Sequence, residues 1–134
     1  MEFYRCEVSY KSGQLHGIFE WASKIMSRIS NLENKYFFAH QGKENQEACQ
    51  KEAECSQDYD WLEETMCYLD SLEIPPFQIL KQGRYAYTEE GYKKFTKYIK
   101  AYKYIAKKYG YDVEIKKVQP EKILYQDELQ IVFQ

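Results

Sequence analysis

The chain has 134 residues, 19 Lys and Arg against 21 Asp and Glu, and a net charge of −2. That length suits one domain with a single core, and the small net charge hides a strong asymmetry along the chain. No apolar run reaches membrane-span length, and MEFYRCEVSY, charged from its second residue, lacks the apolar stretch of a secretory signal, so a cytoplasmic protein with no membrane contact is expected.

In chain order, residues 3–10 alternate and are rich in aromatic and β-branched side chains, which predicts a strand. A turn over 11–14 and a second strand over 15–19 complete an N-terminal hairpin. Trp21, Ile25, Ile29 and Leu32 have helical spacing over 20–32, with an exit at 31–34. Tyr36-Phe37-Phe38 then predicts a short buried strand over 35–40. Residues 42–57 are polar and predict a lightly packed surface helix. Ser56 or Asp58 caps a following helix whose apolar face is Trp61, Leu62, Met66, Leu69 and Leu72. Pro75-Pro76 ends it, and 77–80 reads as a short strand.

The best-specified element spans 88–110. Tyr92, Phe95, Ile99, Tyr102, Ala106 and Tyr109 form one stripe. Thr88 is a good N-cap, Glu89 and Glu90 complement the positive end of the helix dipole, and Gly110 suits the left-handed exit. After it, 112–118 alternates as a strand, 119–122 is a turn, and 123–133 is a terminal strand pairing with its predecessor, broken by a bulge or turn at Gln126-Asp127-Glu128. The expected architecture is α+β: one compact domain over 1–134, an antiparallel sheet of three to five strands, and helices mainly on one face.

Four cysteines, Cys6, Cys49, Cys55 and Cys67, lack the close pairing of metal ligands. Free thiols, no metal and no cofactor are expected. His16 and His40 are the candidate general bases, but no nucleophile elbow, Cys–His signature or phosphate-cradling loop accompanies them. The adjacent pairs Glu63-Glu64 and Glu89-Glu90 point apart on a helix. The expectation is no enzyme and no catalytic residue, with a small His16 or His40 enzyme as the last alternative.

Charge is segregated along the chain. Residues 41–73 hold two basic and ten acidic residues, a balance of −8, and residues 81–118 hold eleven basic and four acidic, a balance of +7. Two binding faces follow. The acidic one is Glu44, Glu47, Glu52, Glu54, Asp58, Asp60, Glu63 and Glu64, suited to the basic groove of a larger protein partner. The other is Arg84, Lys93, Lys97 and Lys100 with Tyr98 and Tyr104, suited to a nucleotide or nucleic acid through phosphate contacts and base stacking. Only three arginines are present, which argues against base-specific readout. In overall style (short, rich in lysine and tyrosine, bipolar, without active-site motifs) the chain resembles small phage and mobile-element proteins that inhibit host defence systems, CRISPR nucleases among them. The leading expectation is therefore a non-enzymatic, anti-CRISPR-like inhibitor of a larger protein, with nucleotide or nucleic-acid binding as the alternative. The apolar terminal strand offers an edge for a homodimer.

Overall fold

A computed structural model describes residues 2–11, 16–72 and 77–134. In order they form β1 (Phe3–Tyr10), β2 (His16–Gly17), α1 (Ile18–His40), α2 (Gln46–Leu69), α3 (Phe77–Gln82), β3 (Arg84–Thr88), α4 (Glu89–Lys108), β4 (Tyr111–Val118), β5 (Ile123–Gln126) and β6 (Gln130–Phe133). The described residues form one α+β unit, as the patterning predicts.

All strand pairs are antiparallel, and β1 is the hub. It pairs with β4 along its whole length, from Phe3↔Val118 to Tyr10↔Tyr111. Its other edge is shared end to end: β3 pairs with Phe3 and Tyr4, and β2 with Glu7 and Val8. Outside β3 come β6 and then β5. Strands β3 and β4 thus run parallel on either side of β1, joined by the crossover helix α4. The terminal hairpin β5–β6 extends the sheet beyond β3, so it does not join β4 as the linear reading expects, and β6, paired with β3 and β5 on its two sides, is not the free edge expected of the terminal strand. Strand order depends on crossovers that local alternation does not encode.

Successive residues of a strand face opposite sides of the sheet. Cys6 and Val8 of β1, Tyr87 of β3, and Tyr111 and Val113 of β4 form the main core with α1, α2 and α4. Phe3, Ala86, Ile131 and Phe133 have the other parity and form a small cluster on the far side. Burying the phenol rings of Tyr87 and Tyr102 supplies much of the core's apolar area, and the Tyr102 hydroxyl donates to Ile18 O at 2.8 Å, tying α4 to the start of α1.

Several predicted boundaries move. The strand expected over 35–40 is the last part of α1, which runs unbroken to His40. Phe37 and Phe38 are 39 % and 67 % exposed, so β-forming side chains sit on a helix surface. Pairing between α1 and α2 overrides their local propensity. The two helices expected over 42–72 are one helix, and the capping residue is Asn45, whose side chain accepts from Ala48 N at 3.1 Å. Ser56 and Asp58 are interior. Residues 77–80 belong to the short helix α3. Of the strand expected over 15–19, only His16–Gly17 is extended, with Ile18 already helical; positions 12–15 and the Pro75-Pro76 stop lie outside the described residues. The triplet at 126–128 resolves into a turn between β5 and β6, with a register shift between Ile123 and Tyr125.

The start of α4 is as predicted. Thr88 Oγ1 accepts from Gly91 N at 3.1 Å and donates to Glu128 O at 2.7 Å, so the cap also stitches the helix to the β5–β6 turn. Asp127 organises that turn by accepting from Leu129 N, Gln130 N, Gln130 Nε2 and Tyr125 Oη. Burial opposes its charge, but these hydrogen bonds prevail and lower its carboxyl pKa. The turn presses so closely on α4 that a Cβ on Gly91 would lie 1.9 Å from Leu129 O. Gly91→Ala therefore costs about 3 kcal/mol and lowers Tm by roughly 10 °C. Gly42→Ala has open space around the Cβ but φ +67°, and costs about 1 kcal/mol. Thermal unfolding of the two variants compares these values, and equal shifts would contradict the close approach.

Candidate functional site

Helices α2 and α4 lie side by side in opposite directions. Asp58 meets Lys108 and Tyr109, Trp61 meets Tyr104, and Tyr68 meets Tyr98, so α4 numbers fall as α2 numbers rise. The Tyr68 and Tyr98 rings stack, with centroids 4.5 Å apart and 16° between planes. Trp61 and Tyr104 approach to 5.9 Å at a tilt of 45°. Neither pair is covered: Trp61, Tyr68 and Tyr104 are 42 %, 46 % and 62 % exposed. The result is an aromatic seam along the outer surface of the helix pair.

Trp61, expected on the apolar face of its helix, is instead turned outward, and Tyr68 was not among the predicted site residues. The signal was their spacing. Each precedes a fully buried leucine, Leu62 or Leu69, so each is turned about 100° away from the buried stripe. Trp61, Glu64 and Tyr68 follow the i, i+3, i+7 pattern of one helix face.

The predicted acidic face is divided by pairing. Asp58 is buried and accepts from Tyr109 Oη at 2.6 Å and Lys108 Nζ at 2.8 Å. Glu54 lies 4.0 Å from Lys108, Glu47 pairs with Lys51 at 3.4 Å, and Glu52 pairs with His40. Glu44 is exposed in the turn before α2. Asp60, Glu63 and Glu64 are exposed on α2, and no ion pair involves them among the described residues. Asp60 and Glu64, one turn apart, form the open carboxylate edge, and Glu63 faces away from the seam.

The predicted basic set also separates. Lys93, Lys97, Lys100 and Tyr104, extended by Lys107, repeat at i, i+4, i+7, i+11 and i+14, all exposed and spanning about 21 Å of helix. None of these lysines has a carboxylate partner among the described residues. Lys116 and Lys117 on β4 differ, since they pair with Glu7, Glu114 and Glu2. Tyr98 is half-buried in the seam, with Lys97 Nζ 6.0 Å from its ring centroid. Arg84 stands at the start of β3 over the Phe133 ring, at the end of that strand remote from α4. The structure thus gathers Lys93, Lys97, Lys100 and Tyr104, places Tyr98 at their flank, and leaves Arg84 elsewhere.

For the histidines, the side chain of His16 lies outside the described residues. His40 pairs with Glu52 near the α1–α2 turn, its ring 5.8 Å from Phe37. No cluster of three or more His, Cys, Asp or Glu able to hold a metal occurs among the described residues, and no described helix is long and apolar enough to cross a membrane. Burial pushes the Cys6 thiol up to about 12 and also raises Cys55, so both buried thiols stay protonated at neutral pH. Comparison with known protein families, curated proteins and solved structures finds no match.

Burial raises the hydroxyl pKa of Tyr85, Tyr87, Tyr102 and Tyr109, and Asp58 and Cys55 raise Tyr109 further. A tyrosine raised in the folded state contributes stability that is intact below its unfolded pKa of about 10 and is lost as pH rises beyond it. The protein should therefore hold its stability to about pH 10 and unfold in stronger base, with these four phenols ionising together in the unfolding step. Tyr10, whose pKa is lowered by its Lys11 hydrogen bond and by Arg28, should ionise ahead of them. Phenolate absorbance recorded alongside circular dichroism checks the order.

Proposed function

We propose that this protein is a non-enzymatic binding module that docks a larger protein partner through the outer face of α2 and α4. The observation that carries the reading is the aromatic seam, three exposed large rings held in place by pairing across two helices. Tryptophan and tyrosine anchors that lose little side-chain entropy on binding are the residues that dominate protein interfaces, and an exposed apolar patch rimmed by charge marks such a surface. Asp60 and Glu64 border the seam from α2, and Lys93, Lys97 and Lys100 lie beyond it on α4. Opposite charges on two sides give a partner one preferred orientation and speed its encounter. An inhibitor of a host defence system, acting stoichiometrically in the cytoplasm, is the member of this class that the style of the sequence favours.

A second reading has its own observation, the aligned lysines of α4 without carboxylate partners. A row of this kind suits a nucleic-acid backbone, with Tyr104 beside it for stacking.

The two readings separate by mutation. A Trp61→Ala/Tyr104→Ala double variant removes two exposed rings and should fold. It should weaken binding of the partner captured by the wild-type protein by about 30-fold or more, the scale of an interface hot spot. Lys97→Glu/Lys100→Glu should reduce that binding mainly at low salt. Titration of the purified complex at two salt concentrations measures both. Unchanged affinity in the aromatic variant would sink the protein-docking proposal. A bound oligonucleotide, lost in the lysine variant, would move the function to the second reading. If the captured partner is another copy of the chain, the seam is a dimer interface.

A further inference from the structure

The cationic character of this chain is not confined to α4. On α1, Lys24, Arg28, Asn31 and Lys35 occupy positions i, i+4, i+7 and i+11, a polar stripe about 16 Å long. This stripe borders two adjoining clefts. One, of about 510 Å³, runs along α1 and adds Ser23 and Ser27 to the stripe. The other, of about 400 Å³, lies where α1, α2 and the end of α4 meet, with Tyr36, Lys51, Glu54 and Lys108 in its wall. Both include Arg28 and Leu32, so Arg28 stands at their junction.

We infer that this joined cleft binds a small phosphate-bearing ligand, with Arg28 as its central anchor and Lys24 and Lys35 on either side. Arg28 carries the argument. Its guanidinium is set over the Tyr10 ring at 5.2 Å, which orients it, and its Nε is buried with no hydrogen-bond partner. Arg28 also lines both clefts, so an anion there would meet a guanidinium already oriented by the ring. Among the described residues no carboxylate pairs with Lys24, Arg28 or Lys35. The nearby cations are already engaged, Lys51 with Glu47, and Lys108 with Asp58 and Glu54. Glu54 is the single carboxylate among the residues forming the two clefts, so the site has an excess of positive charge.

The form of the site selects the chemistry. Arginine presents a planar fork of donors that matches phosphate oxygens, and the serines and Asn31 add neutral donors along the same wall. Cations spread over three helical turns suit a ligand charged at more than one point, such as a diphosphate or a nucleotide, better than a single carboxylate. The volumes fall in the range of small-ligand sites. This site does not depend on the seam between α2 and α4, and a protein partner could occupy that seam with the cleft filled.

Calorimetric titration of the full chain with inorganic pyrophosphate and with ATP, at constant low salt, tests the inference. Saturable single-site binding of either probe is expected, and tighter binding of ATP would add a base to the ligand. Arg28→Gln should weaken it by at least about tenfold, the effect of removing a hydrogen bond to a charged group. Lys122→Gln, which removes the same charge from the exposed turn between β4 and β5, should change it less than about twofold. If Arg28→Gln does not fold, Lys24→Gln/Lys35→Gln, altering two exposed side chains, serves in its place with the same expected loss. Absence of saturable binding up to about 10 mM of either probe overturns the inference. So does an equal loss in the Lys122 variant, which would mean diffuse attraction without a site.

Discussion

The surface depends on one buried carboxylate. Asp58 lies inside the helix layer and receives hydrogen bonds from the Tyr109 hydroxyl and the Lys108 ammonium, with the Cys55 thiol 3.7 Å from the same hydroxyl. A buried charge is costly unless paired and hydrogen-bonded. Among the described residues, the end of α4 supplies the donors that Asp58 uses. The antiparallel register of α2 and α4 is therefore set by chemistry at one end and propagates along both helices. With Asp58 opposite Tyr109, Trp61 falls opposite Tyr104, and Tyr68 opposite Tyr98. Such a pair contributes less to net stability than to the choice of a single arrangement, and losing one partner costs about 3–5 kcal/mol. Both buried and exposed features thus follow from a residue that the sequence places in an undifferentiated acidic run.

That contrast explains what could be read in advance. Helix α4 was legible because its signals are local: Thr88 caps it, Glu89 and Glu90 follow, a continuous apolar stripe runs through it, and Gly110 takes φ +91° at its exit. Strands β1 and β4 were legible for the same reason, since alternation is a property of neighbouring residues. The failures are places where distant contacts decide. Tyr36-Phe37-Phe38 favours a strand locally, but Tyr36 packs against the core and His40 meets Glu52 across the α1–α2 pair, which holds the segment helical. The charge blocks were visible as blocks, yet their pairing was not. Lys108 and Asp58 are fifty residues apart, and their contact pairs a member of one block with a member of the other. The site was therefore legible as composition and illegible as geometry, apart from the α4 lysines, whose common face follows from helical period alone.

The crossover from β3 through α4 to β4 explains why α4 is held so firmly. Its N-terminus is fixed by Thr88, which belongs to the β3 end, caps the helix and bonds the β5–β6 turn. Its C-terminus is fixed by Asp58 of α2. Its buried face lies against the sheet through Phe95, Ile99 and Tyr102. A helix restrained at both ends and along one side presents its remaining face rigidly, so Lys93, Lys97, Lys100 and Tyr104 project from a scaffold that does not need to order on binding. That lowers the conformational entropy lost in an encounter.

Charge then adds direction without much net attraction. With a total of −2, the chain as a whole neither strongly attracts nor repels a partner at long range, and screening over about 8 Å at physiological salt weakens what remains. The opposed edges of the α2–α4 surface act at shorter range. A partner with matching poles gains from both edges in one orientation and meets like charges in the reversed one, so charge selects the pose while the rings between the edges supply the buried area. Lysine is suited to the edges because its charge acts as a point and its long stem tolerates solvent. Tyrosine is suited to the seam because it offers apolar area with a polar tip that remains hydrated before a partner arrives. The arginine over Tyr10 stands apart from that pattern: it is oriented by a ring, partly buried, and directed to a cleft on another side of the helix layer, where fixed donor geometry matters more than reach.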